Sequence, residues 1–391
     1  MSRRSRFLFL TGTLLYWVSL YLYVPTLPTY IYDRTLSLTI VGTVLSMYGL
    51  WQAVIRVPVG IGVDATGRGK LFILAGLGFS AAGAMVMSYG GTVASLALGR
   101  ALTGFAAGTW VPLIAVFAGF FPPGQVVYAT SLLTLSGSVG RMIATGANGL
   151  LNNLGGYRLT FLLAAGAAVL AGIIIGNTKI KKPESRGVTL RSISSLFSRP
   201  DVMLPSAISL VVQFGTWAIT FGFLPILAEE LGAEDVGLSL LVSLNLALLT
   251  AGNLLNTLIA RRVRHVPVIA TSIAFAATCI TVAALTDTLW ILFAASAGMG
   301  LANGFNYPTL MGLSISRIDS DHRSSAMGIH QSVYAIGMFS GPWLGGIVAD
   351  LAGIRAMFLA VAGFVAVASL ILIVLYSAKT KSDLTPARDA P

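Results

Sequence analysis

The sequence predicts an all-α integral membrane protein of twelve transmembrane helices in two pseudo-symmetric six-helix bundles. Three observations carry this: the apolar composition, a dozen apolar runs of spanning length, and a register that repeats between the halves. Of 391 residues, 55% are hydrophobic and 10% charged, against roughly 25% charged in soluble domains. A water-soluble fold this apolar would have too little polar surface to stay dispersed. The 43 glycines and 15 prolines also suit membrane helices, where both are commoner than in soluble ones.

Each span needs about 20 mostly apolar residues. Runs bounded by Gly, Pro or charge place spans at 7–31, 39–62, 70–90, 93–118, 125–151 and 157–177, then at 203–228, 236–260, 267–286, 288–315, 325–350 and 354–377. The opening run follows the basic Arg3-Arg4-Ser5-Arg6. It is too long for a signal peptide and lacks a small-residue cleavage site, so it reads as a retained first helix. Residues 178–202 carry Lys179, Lys181, Lys182, Arg186, Arg191 and Arg199 around Pro183 and Gly187. They read as a linker on the cytoplasmic side, between an N-terminal bundle (1–177) and a C-terminal bundle (203–377), with a cytoplasmic tail at 378–391. With the N-terminus in the cytoplasm, 19 of the 25 basic residues fall on the inner side and Arg34, Arg158 and Arg355 outside. That is the bias the positive-inside rule demands, so both termini are expected inside the cell (inner) membrane.

The halves repeat. At an offset of 197, Leu27-Pro28 pairs with Leu224-Pro225, Gly140 with Gly337 and Gly149 with Gly346. Arg158, Phe161 and Gly166 pair with Arg355, Phe358 and Gly363 at the same offset, and at 196 Gly104, Gly108 and Pro112 pair with Gly300, Gly304 and Pro308. Two like halves place a solute site between them near the midplane, reached from alternating sides.

Between the second and third spans stands Gly60-Ile61-Gly62-Val63-Asp64-Ala65-Thr66-Gly67-Arg68-Gly69-Lys70. Its glycines permit a tight turn and close helix contact, and an Asp at a helix end can meet a neighbour's positive N-terminus. This stretch resembles the signature loop of the major facilitator superfamily at Gly60, Asp64, Gly67 and Arg68, departing from it at Gly62 and Ala65. The resemblance implies that Asp64 meets helix 11 and latches the cytoplasmic side shut. Tyr23-Val24-Pro25-Thr26-Leu27-Pro28 is similar to the end of helix 1 in twelve-helix drug:proton antiporters. Arg100-Ala101-Leu102-Thr103-Gly104 resembles the family's helix 4 motif. Gly341-Pro342-Trp343-Leu344-Gly345-Gly346 has the pattern that antiporters carry in helix 5, and adds Gly341 and Pro342 to the gating set. In helix 5 itself the equivalent positions are Ala144, Thr145, Asn148 and Gly149, without the proline.

Ionisable groups in hydrocarbon are costly and face a cavity or a partner. The spans hold three, Arg56, Arg100 and Arg141, while all 14 acidic residues fall in loops or at helix ends. Unpaired arginines attract anions, because guanidinium binds carboxylate or phosphate through paired hydrogen bonds. Two other roles stand beside this one. Arg100 can bond carbonyls freed near Pro25 and Pro28, and Arg56 can snorkel to the headgroups as an anchor. Neutral candidates inside spans are Tyr16, Trp17, Gln52, Trp110, Gln213, Trp217, Asn245, Asn303, Asn306, Tyr307 and Gln331. Many lie on helices 1, 4, 7 and 10, which the resemblance implies line the cavity.

These features point to a secondary transporter moving a small organic solute, leaning to an organic anion, by rocking-bundle alternating access. A proton-coupled multidrug efflux antiporter is the direct rival, and a non-transporting membrane sensor on the same fold is the reading of another class. No nucleotide-binding loop or nucleophile–base set is present, so an enzyme is not expected. A lone Cys279 and three scattered histidines give no metal cluster; no cofactor is implied. The net charge of +11 belongs to one membrane face rather than to nucleic acid. Coupling through His330 and Arg56, through protons or a counter-transported anion, is the expectation, with a monomer in the lipid bilayer and a small-molecule substrate as its partners.

Overall fold

A computed structural model describes residues 3–122, 125–179, 196–259, 263–318 and 323–384. Most of the linker and its cations lie outside the described residues, as does most of the tail. The first span, α1, is Arg3–Tyr21 followed after a break by Leu27–Thr35; α2 is Leu38–Thr66, α3 is Gly69–Gly90, and α4 is Val93–Gly108 with Trp110–Ala118. Val126–Gly176 is one 51-residue helical run, about 77 Å at 1.5 Å per residue and far longer than the roughly 30 Å hydrocarbon core. It turns back at Gly155 and at Gly156, where φ is 66°, so it supplies both α5 (126–154) and α6 (157–176). Next comes α7, built from Pro200–Ala218, a π-helical turn Ile219–Phe223 and Leu224–Glu230. Then follow α8 (Asp235–Ile259), α9 (His265–Leu285), α10 (Leu289–Ile315), α11 (Arg323–Ala352) and α12 (Ile354–Leu384).

Nine described helical runs are long and apolar enough to cross a membrane. One of them, Tyr128–Gly176, crosses twice. The broken α1 and the Asn-bearing α10 complete twelve. Twelve crossings bring both chain ends to one face, the terminal side; the opposite face is the loop side.

Three spans expected to be continuous are interrupted, each by proline. Pro25 and Pro28 cannot donate to the preceding turn, and α1 breaks before Leu27. Pro112 clashes with the carbonyl four residues before it, and α4 resets at Thr109. Pro225 does the same toward Phe221, and the π turn Ile219–Phe223 absorbs the misfit.

The repeat read from the sequence is physical. A Cβ added at Gly104 would meet the carbonyl of Tyr48, and one at Gly300 the carbonyl of Asn245, the same contact 196–197 residues on. Gly149 of α5 packs on Asp235 of α8, and Gly346 of α11 on Leu38 of α2. The positive-φ turns at Gly156 and Gly353 also correspond. Small residues let backbones touch where lipid gives no hydrophobic drive for helix association. These glycines therefore fix both the packing within each half and the α5–α8 and α2–α11 seams between halves.

Candidate functional site

Two polar clusters lie where the halves meet. In the first, Arg100 is 1% exposed, and its guanidinium carbon stands 4.4 Å from the Tyr48 ring centroid. Tyr48 stacks on Trp217 at 5.1 Å, Trp217 meets Phe221 at 4.9 Å, and Phe221 meets Tyr21 edge-on at 6.1 Å. Arg141 closes the belt, 4.6 Å from the Trp17 ring and 5.8 Å from the Tyr21 ring. Trp17 in turn packs edge-on against Tyr16 and Trp110. The aromatic chain crosses from α1, α2 and α4 to α7, so both halves build it.

The arginines are incompletely satisfied. Arg141 Nη2 donates to Ser138 Oγ at 3.2 Å, but its Nε is buried without a partner, as are Nε and Nη1 of Arg100 and the indole N–H of Trp17. Insertion scales put a cation at the midplane about 2.5–3.5 kcal/mol uphill, and a desolvated cation–π contact returns about 2 kcal/mol. The ring faces offset much of the charge and leave directional N–H groups vacant. Arg100 does not bond the carbonyls near Pro25 and Pro28, as one sequence-based expectation had it; it lies on Tyr48 instead.

The second cluster sits nearer the terminal side. Arg56 donates through Nη1 to the Gln331 carbonyl at 2.8 Å and through Nη2 to Gln52 Oε1 at 2.5 Å, and lies 4.9 Å from the Tyr334 ring. It is 4% exposed, which corrects the reading of Arg56 as a headgroup anchor: α11 covers it, so it has no path to the membrane surface. Tyr307 meets Tyr334 edge-on at 6.0 Å. His330 lies between α7 and α11, with Ser206 and Ser209 hydroxyls at 3.0 and 3.4 Å from its two ring nitrogens. Gln331 is fully buried, and neither its Nε2 nor its Oε1 has a partner.

Other candidates fall elsewhere. Asn303 donates to Thr216 and Asn306 accepts from Ser272. Both line a cavity of about 20 Å³ enclosed by α7, α9, α10 and α12 within the C-terminal half, room for a single water. Asn245 donates to the Ser296 carbonyl of α10 and ties two C-terminal helices. Tyr16 donates to the Ala106 carbonyl at 2.8 Å, which makes it a brace between α1 and α4. Gln213 is half-buried on α7.

Of the gating set, Gly67 adopts the left-handed conformation that ends α2, Gly60 has open space beside it, and Gly341 packs on the Phe214 carbonyl. Arg68 is exposed, and the Asp64 side chain lies outside the described residues. Asp350, which the sequence reading passed over, makes at the opposite face the kind of contact expected of Asp64. It accepts from Ser37 Oγ, Leu38 N and Thr39 N at 2.8–2.9 Å, so that α11 caps the N-terminus of α2. On the other seam Asn152 donates to Asp235 at 2.9 Å, and Thr145 and Ser243 hydroxyls lie 2.8 Å apart. The loop side is closed.

The sequence matches the model of the Major Facilitator Superfamily over residues 9–215 and again over 206–391. The chain belongs to this superfamily. It is similar to Multidrug resistance protein 1 of Bacillus subtilis (strain 168), 24% identical with 88% of this chain and 89% of that protein covered. Multidrug resistance protein 2 of the same organism is 25% identical, covering 93% and 92%. Among solved structures, a bacterial homologue of the human lysosomal transporter Spinster, in an inward-facing and unoccupied conformation, superposes with a TM-score of 0.80 at 15% identity over 99% of this chain and 100% of that one. The nucleoside transporter NupG superposes at 0.74 and 16% identity over 95% and 99%. This major facilitator protein is a multi-pass membrane transporter rather than an enzyme, with a small-molecule substrate.

Proposed function

We propose that this transporter carries a small organic anion with a flat apolar body, alternating access between the bundles formed by 1–177 and 203–377. The observation that supports this is the buried N–H groups of Arg100 and Arg141, set against aromatic faces while the acidic residues fall in loops or at helix ends. The Arg141 guanidinium fork holds a carboxylate, with Trp17 and Tyr21 on either side of the substrate's ring. The rival reading, export of lipophilic drugs, rests on the two Bacillus subtilis relatives named as multidrug resistance proteins. An exporter of cations would be expected to place an acid in the cavity, whereas the acidic residues of this sequence fall in loops or at helix ends.

The deciding experiment is a thermal-shift screen of purified protein against aromatic carboxylates and lipophilic cations, repeated on Arg141→Gln. Carboxylates should stabilise the wild type, and Arg141→Gln should abolish that response in a chain that still inserts. Arg141→Lys should recover part of it, since a point charge lacks the planar fork. Stabilisation by cations alone, unchanged in Arg141→Gln, would hand the function to the drug-export reading.

Both termini face the cytoplasm in this proposal, and the transporter works as a monomer in the cell membrane. A cysteine at the exposed Glu234 should react with an impermeant thiol reagent on intact cells, and one in the 178–202 linker should be protected. The reverse pattern inverts the orientation.

A further inference from the structure

Among the described residues, Gln331 is the one buried amide side chain with neither polar atom partnered. It lies on α11 in register with Met338 and Pro342, which pack on Gly49 and Gly42 of α2, so it belongs to the seam between the halves. Its backbone carbonyl is taken by Arg56. Its side chain is wholly buried, with a donor and an acceptor both unused. Arg56 Nε beside it is also unpartnered, while the two terminal nitrogens of Arg56 are engaged by protein oxygens.

A buried amide with neither atom satisfied is costly, and such groups are rare in native proteins. A carboxylate would satisfy only its donor half. The full complement is an edge that offers one acceptor and one donor side by side, as a carboxamide, lactam or imide does. Counted from the loop-side helix ends, Gln331 lies some eight residues deeper than Arg141, roughly 12 Å at 1.5 Å per residue. On the Gln331 side, Tyr307 meets Tyr334 edge-on at 6.0 Å, and the Tyr334 ring lies 4.9 Å from the Arg56 guanidinium carbon.

We infer that Gln331 reads an amide-like edge on the substrate, at the end remote from the anionic group held by Arg141. The substrate class is then an aromatic or heteroaromatic acid bearing a carboxamide, lactam or imide across the ring. This rests on the proposed anion site and goes one step beyond it.

The test uses purified full-length protein and three probes of one shape: 4-carbamoylbenzoate, benzoate and terephthalate. 4-Carbamoylbenzoate should bind about tenfold tighter than benzoate, the lower end of what an unpaired buried amide costs, and terephthalate should not exceed it. Gln331→Leu should bring the ratio of the first two close to one. The wild-type ratio stands as a test should that variant not insert. Equal binding of 4-carbamoylbenzoate and benzoate overturns the amide assignment and leaves the anion reading standing. Terephthalate binding tightest also overturns it, and assigns the deep end to Arg56 as a second anion point. Failure of all three to bind sinks both this inference and the reading beneath it.

Discussion

Trp17 decides how exposed the charge of Arg141 is to a ligand. Its ring covers the guanidinium at 4.6 Å, and Gly137 makes room for it, since a Cβ there would stand 2.7 Å from the indole nitrogen. Trp17→Leu removes the ring face and one side of the sandwich, worth about 1–2 kcal/mol, so affinity for an aromatic carboxylate should fall about tenfold. Titrations by thermal shift check this, and an unchanged affinity would place the ligand away from Trp17. The arginines, Gln52 and Gln331 were legible in the sequence because polar groups inside apolar runs are costly and therefore conspicuous. Tyr21, Tyr48, Phe221 and Tyr334 were not, because nothing in the sequence separates the aromatics that meet across the halves from those that face lipid or their own bundle. Asn303 and Asn306 were visible for the same reason as the arginines, but sequence cannot say which side of α10 meets the other half.

At the scale of the helix, the seam between α2 and α11 carries the closure of the loop side. Glycines at 42, 49 and 346 bring the backbones together, and Asp350 adds a charge to the positive end of α2 through three hydrogen bonds. Asp350 is exposed, and exposed helix-terminus charges contribute about 0.3–1 kcal/mol. Asp350→Asn keeps the shape and loses the charge. Spin labels at Leu36 and Leu351, both exposed, should then show a longer-distance population that is minor in the unmodified chain. A distance distribution identical to that of the parent would show that the glycine packing alone holds the face shut. The span positions were legible to within a few residues, because length and apolarity are properties of the chain itself. The breaks in α1, α4 and α7 were not placed, because each proline says that a helix is disturbed without saying how its neighbours absorb the disturbance.

Across the whole molecule the repeat builds the fold, and its departures from symmetry build the site. Arg56, Arg100 and Arg141 all lie in the first half, and their counterparts by register are Asn253, Ser296 and Met338. Tyr48 under Arg100 corresponds to Asn245 beside Ser296, and that second pair is a neutral hydrogen bond between α8 and α10. The charge is thus concentrated in one bundle, while the other supplies Trp217, Phe221, Tyr307 and Gln331 as cover. A ligand held between such unlike walls is released when the walls part, so opening the loop side must separate α5 from α8. The Thr145 and Ser243 hydroxyls, 2.8 Å apart, mark where that separation begins. Cysteines at both positions would bring their sulfurs to where the hydroxyls now meet, and are to be cross-linked after buried Cys279 is replaced by alanine. Oxidation should then abolish flux, in proteoliposomes, of whichever anion the thermal-shift screen returns, and a reductant should restore it. Undiminished flux with the disulfide intact would mean that the solute passes without the halves parting at α5 and α8, and the alternating-access mechanism would fall with it.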